Sequence, residues 1–238
     1  MPDLTPTIVL VHGAFAESAS WAPVVEELRS GGLRVVAAAN PLRSLAGDAA
    51  YVRDVIGGLG DPVVLVGHSY GGMVVTQAAA GNASVLGLVY VAGFAPEQGE
   101  SALGLARRFP GSTLADALVA YPVAAGGVEV AIRQEDFHQQ FAADVPEAQA
   151  AVMAATQRPV TRVALAGGLL ADPPAWRELP SWFVFGDGDL VVPVEAHRYM
   201  AERAAAKVSR ELAGASHVLS LSEPDAVTAT ILEATASL

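Results

Sequence analysis

Residues 63–72 read Val-Val-Leu-Val-Gly-His-Ser-Tyr-Gly-Gly, an apolar strand that runs into a Gly-x-Ser-x-Gly turn and then into the helix-forming run Met73–Ala80. This segment constrains the fold more than any other. A serine in such a turn occupies a tight strand-to-helix bend, with its hydroxyl raised above the carboxyl edge of a sheet. Strand and helix nearly touch there, so small residues must flank the bend. Gly67 and Gly71, two residues either side of Ser69, meet that demand. The five-residue pattern alone recurs by chance; the strand before it and the helix after it give it weight.

The rest of the chain repeats the same alternation. Thr7–Val11 is a short, continuously apolar, β-branched run ending at His12-Gly13, as expected of a strand buried on both faces. A helix is predicted from about Ser20 to Ser30, with Gly31-Gly32 stopping it. Then come a strand over Leu33–Ala38, a helix over Leu45–Leu59, the strand Val63–Val66 with its serine turn and the Tyr70–Ala80 helix, and a strand over Val85–Val91. Alternation resumes with strand Trp182–Phe185, a helix from about Glu195 to Ala206 and a strand near Val208–Leu212. A final helix opens at Ser222-Glu223-Pro224-Asp225, where Ser222 reads as the cap. Six strands alternating with helices imply a mostly parallel sheet covered on both faces, with right-handed crossovers.

Residues 97–179 break the rhythm. Helical pieces such as Asp136–Ala143 and Glu147–Gln157 are separated by Pro110, Pro122, Gly126-Gly127, Pro146 and Pro159. About eighty residues are too many for a plain loop. The stretch therefore reads as an inserted, mainly helical cap over a core made of residues 1–96 and 180–238. Sites in such sheets form at the carboxyl ends of the strands, beneath a cap so placed.

Composition excludes several functions. The 238 residues carry a net charge of −11, and nucleic acid or anionic membrane would demand basic patches instead. No cysteine is present, so disulfides, thiol catalysis and thiolate metal sites are ruled out. The amino terminus shows no basic region followed by an apolar stretch, and Ile8–Val11 is far short of a membrane span, so a cytoplasmic protein is expected. Gly67–Gly72 also fits Gly-x-x-x-x-Gly, but Met73-Val74 stand where a phosphate loop needs Lys and Ser or Thr. No Gly-x-Gly-x-x-Gly follows a strand, and no histidine pair has metal-ligand spacing. No cofactor is expected. An exposed apolar face on the cap would permit a homodimer.

A serine hydroxyl needs a base to act as a nucleophile near neutral pH. The five histidines are His12, His68, His138, His197 and His217. His68 adjoins Ser69 and should point away from it, as a packing residue. His12 shapes a turn, His197 lies within a predicted helix in a structural or surface role, and His138 belongs to the cap. His217 follows the last strand, where a loop can carry a base over Ser69. Its other ring nitrogen needs an acceptor. In Gly186-Asp187-Gly188-Asp189 two carboxylates compete; Asp187 suits a turn cap, and Asp189, further round the loop, is favoured. The oxyanion requires two backbone N–H donors: Tyr70 supplies one, and Ala14 or Phe15 the other. Phe15, Tyr70, Phe137, His138, Trp176 and Val218 are the residues expected against substrate.

These features, His12-Gly13-Ala14, Gly67-His68-Ser69-Tyr70-Gly71, the Gly-x-x-Asp-x-x-Val-Pro stretch and Ser216-His217, occur in an order that resembles the α/β-hydrolases over the whole chain. Within that superfamily the sequence is similar to small bacterial esterases and to the plant methylesterase and hydroxynitrile lyase group. The resemblance implies Asp189 as the acid and the absence of the fold's first two strands, since six residues precede Thr7. It implies a serine hydrolase of small or medium apolar carboxylic esters working through an acyl-enzyme. The lyases of the group carry lysine after the histidine and threonine in the first oxyanion turn. Here Val218 and Gly13 or Ala14 stand there, which weakens lyase chemistry. The dehalogenases' aspartate nucleophile is replaced by Ser69. Perhydrolysis shares the same three residues, as does a ligand-binding protein on this fold with negligible turnover.

Overall fold

The computed structural model describes residues 5–124 and 126–238. Four units open the chain: β1 (Thr7–Val11) with α1 (Ala22–Ser30), β2 (Val35–Ala38) with α2 (Leu45–Leu59), β3 (Val63–His68) with α3 (Tyr70–Ala79), and β4 (Val85–Val91). An insertion follows, comprising α4 (Ala102–Arg108), α5 (Leu114–Ala117), β5 (Leu118–Pro122), β6 (Val128–Ile132), α6 (Gln134–Phe141), α7 (Glu147–Thr156), β7 (Val160–Thr161) and α8 (Arg162–Ala166). The chain then adds β8 (Ser181–Gly186), α9 (Val194–Arg203), β9 (Val208–Leu212), α10 (Leu219–Ser222) and α11 (Pro224–Ala236).

The main sheet has the order β2-β1-β3-β4-β8-β9, and every neighbouring pair is parallel. β1, β3 and β8 are buried along their whole length, as their unbroken apolar sequences require, whereas edge strands β2 and β9 are half-exposed. One face packs Ile8, Leu10, Val64 and Val66 against Trp21 and Leu28 beside α1 and Ile231 of α11. The other packs Val9, Val11 and Leu65 against α2, α3 and α9, and the core continues into the insertion through Phe137 and Phe141.

Three expectations need correction. The insertion is mainly helical, but it also holds a sheet that its reading left out: β5, β6 and β7 form three antiparallel strands. Gly126 and Gly127, read as a break between helices, both have positive φ and turn the chain between β5 and β6. The second strand starts at Val35 and not Leu33, because the Leu33 N–H bonds back to the Leu28 carbonyl and closes α1 across Gly32 at φ 84°. Ser222 does not cap the last helix. It ends the turn α10, its hydroxyl is buried without a hydrogen-bond partner, and Glu223 occupies the cap position.

Candidate active site

The bend after β3 is as tight as the sequence demands. Ser69 has φ 52° and ψ −123°, a strained conformation for a residue with a side chain. A Cβ added to Gly67 would lie 2.7 Å from the Gly71 carbonyl oxygen, and one on Gly71 would lie 2.3 Å from that of Val11. Ser69 therefore sits where β1, β3 and α3 converge, and its 4% exposure shows that it is covered.

His217 lies in the loop after β9 and is fully buried. Its Nδ1 is 2.6 Å from Asp189 Oδ2, so Nδ1 carries the proton and the carboxylate accepts it. The remaining nitrogen, Nε2, is buried and has no hydrogen-bond partner, Ser69 included. His68, the residue before the serine, donates from Nε2 to the His217 carbonyl at 3.0 Å, and the two rings lie 4.8 Å apart. It also packs edge-on to Trp21 and to Phe141, each at 6.3 Å.

Asp187 and Asp189 do different work. Asp187 accepts the Gly214 N–H at 2.6 Å and braces one loop against the next. Asp189 turns inward, where Oδ1 accepts the N–H groups of Val191 (2.7 Å) and Val192 (3.0 Å). Burial pushes its carboxyl up, but the adjacent His217 and the hydrogen bonds from His197 and His217 overcome this and hold it well below the usual carboxylate range.

His197 is not at the surface. It is fully buried on α9, stacked on Phe185 at 5.0 Å, with Nε2 3.4 Å from Asp189 Oδ2. Burial lowers its pKa and keeps the ring neutral against the pull of Asp189. Burial likewise depresses His68 to about 3 and His12 to about 4. His12 bonds through Nδ1 to the Gly13 carbonyl at 2.9 Å, consistent with a turn-shaping role.

Of the two candidates for the second oxyanion donor, Phe15 is already committed: its N–H bonds to the Arg158 carbonyl at 3.1 Å. Ala14 remains. Tyr70 opens α3, so its N–H has no preceding turn to bond, and its hydroxyl donates to the buried Asp48 at 2.8 Å.

The insertion meets these residues through Phe141, which the sequence reading missed. Its ring stands edge-on to His217 at 5.1 Å and 6.2 Å from Phe15. Phe137 lies behind it at 5.0 Å; the four-residue spacing on α6 was the available signal. The insertion also supplies Asp144, whose carboxylate accepts the Ser216 N–H at 2.7 Å and the Ser216 hydroxyl at 2.5 Å, next to His217. Val218 is buried at the start of α10.

Two residues expected against substrate are engaged elsewhere. The His138 ring bonds the Val145 carbonyl at 2.8 Å and closes the turn after α6. Trp176 donates to the Pro96 carbonyl, with the guanidinium groups of Arg177 and Arg203 4.9 and 5.5 Å from its ring. It braces the place where the insertion returns to the sheet. Among the described residues no group of three or more His, Asp or Glu could hold a metal ion, and no helix is long and apolar enough to cross a membrane.

Comparison with known proteins agrees with this architecture. The chain is similar to a carbendazim hydrolyzing esterase from Nocardioides sp., at 37% identity over 113 residues, which is 41% of this chain and 46% of that protein. It thus spans about half the length of the curated relative it matches. Polyneuridine aldehyde esterase superposes with a TM-score of 0.81 at 20% identity, over 96% of this chain and 98% of that one. A methylesterase from Arabidopsis has a TM-score of 0.81 at 18% identity, over 98% and 100%. A pyrethroid hydrolase from Sphingobium faniae has 0.77 at 22%, over 98% of both. At these identities the structures speak for the fold. The family profile matches residues 8–230, and on that match the chain belongs to the alpha/beta hydrolase family.

Proposed function

We propose that the chain is a serine hydrolase of small to medium apolar carboxylic esters, with Ser69 as nucleophile, His217 as base and Asp189 as the group that orients it. The observation that carries the reading is the buried His217 Nε2, left with a free lone pair while Nδ1 is locked to Asp189. In this reading Ser69 Oγ attacks the ester carbonyl and His217 Nε2 takes its proton. The N–H groups of Tyr70 and Ala14 hold the oxyanion. The imidazolium returns the proton to the departing alcohol, which leaves an acyl-serine. Water, deprotonated by His217, then releases the acid and restores Ser69.

The insertion acts here as the cap, with Phe141 excluding solvent from His217. The activities for which the relatives are named, an esterase, a methylesterase and a pyrethroid hydrolase, favour the same bond type. Val218, apolar and buried, offers no cation for departing cyanide, which speaks against cyanohydrin cleavage. Ser69→Ala should lower kcat on 4-nitrophenyl esters by roughly 10⁴-fold or more, as loss of a triad member does elsewhere. Thermal unfolding of that variant should stay within a few degrees of the parent, because only a hydroxyl without a structural bond is lost. Retained hydrolysis would refute the assignment.

A further inference from the structure

Ser69 is 4% exposed and His217 wholly buried, so a substrate reaches them only where a wall gives way. An open groove of about 290 Å³ lies on the far side of one such wall, near the lower end of the range for small-molecule sites. Phe15 and Ala19, in the segment after β1, contribute to one side, Val152 and Met153 of α7 to the other, and Leu221 of α10 is also in the lining. Phe15 belongs to both spaces. It lines the groove, and its ring is 6.2 Å from Phe141, which stands against His217. It also follows Ala14 directly. Gly13, one residue earlier, lies so close to the nucleophile that an added Cβ would be 2.6 Å from Ser69 Cβ.

We infer that this groove receives the long apolar arm of a neutral ester, and that Phe15 is the partition between that arm and Ser69. The inference rests on the hydrolase reading above and extends it to substrate class. Most of the lining surface is apolar; Ser20, Gln149, Thr156 and Gln157 are its uncharged polar members and Glu17 its one ionisable residue, in a chain of net charge −11. An alkyl or aryl arm gains by burial there, whereas an arm ending in a carboxylate meets like charge. Phe15 holds φ 62°, a left-handed conformation uncommon for a residue with a side chain, and its N–H is tied to the Arg158 carbonyl. Arg158 follows shortly after α7, the helix that forms the opposite wall. Movement of α7 therefore shifts wall and partition together.

The test compares kcat/KM for 4-nitrophenyl acetate, 4-nitrophenyl octanoate and an ester of octanoate length ending in a carboxylate. Each fully buried methylene is worth about fourfold in affinity, so a preference for octanoate over acetate of at least about tenfold is expected, absent for the carboxylate-ended ester. Ala19→Trp and Met153→Trp fill the groove from opposite walls, and each should cut that preference by about tenfold, the equivalent of losing one to two buried methylenes. Phe15→Ala should raise it. Circular dichroism establishes that the variants fold, and the exposed Ala19 tolerates the larger ring best. An octanoate-to-acetate ratio unmoved by both tryptophans, with acetate turnover intact, overturns the groove assignment alone. A parent chain that hydrolyses neither ester, and whose Ser69 resists fluorophosphonate, overturns the hydrolase reading itself.

Discussion

Asp187 and Asp189 stand two residues apart in one loop, and only their surroundings tell them apart. Asp187 is exposed and holds Gly214, whereas Asp189 is buried and accepts the hydrogen bond of His217 Nδ1–H. Asp189→Asn should reduce kcat by about 10³–10⁴-fold, because an amide presents its NH₂ to the ring and favours the wrong tautomer. Asp187→Asn keeps an oxygen for the Gly214 N–H and should cost no more than a few-fold. Steady-state kinetics on one chromogenic ester decides between them; a larger loss at Asp187 would reverse the assignment. Both carboxylates were legible in the sequence, and so was the turn-capping habit that separates them. The choice between Ala14 and Phe15 was not, because it depends on a carbonyl of Arg158 supplied from across the insertion. For His197 the sequence left a structural and a surface role both open, for a similar reason. A lone histidine on a helix gives no hint that the helix packs its ring onto Phe185 and a buried carboxylate.

At the scale of elements, the β3–α3 elbow depends on atoms that are absent. Gly71→Ala would drive a Cβ to within 2.3 Å of the Val11 carbonyl oxygen, a backbone atom of a central strand that cannot rotate aside. The variant should lose about 3 kcal/mol or more of stability by overpacking, measured by urea denaturation. A loss near 0.5 kcal/mol would mean that β1 and α3 separate easily. The strands and helices of the main sheet were readable within a few residues because the central strands are mostly apolar runs and α1 and α2 stop at Gly31 and Gly60. The small sheet of the insertion was not. Leu118–Pro122 and Val128–Ile132 are short and partly exposed, and their pairing is visible only once Gly126 and Gly127 are known to turn. Phe141 escaped notice for the same cause, since its contact with His217 depends on how α6 folds back over the sheet.

For the molecule as a whole, acid is the expected weakness. His12 and His68 are held neutral, at about 4 and 3, against 6.5 in the unfolded chain. Between those values the unfolded chain binds protons that the folded one refuses, so stability is full above pH 6.5 and falls as pH drops toward 4. Asp189, depressed by its partners, adds a loss in the same direction at still lower pH. The two histidines alone give a slope approaching two protons near pH 5, or about 2.7 kcal/mol per pH unit. Urea midpoints at pH 7, 6 and 5 measure this, and a flat profile would show that both rings titrate normally in the native state. Finally, the Asp144 carboxylate grips Ser216 by both its N–H and its hydroxyl, one residue from the imidazole. The insertion and the loop that carries His217 are thereby tethered, so a displacement of either strains the other.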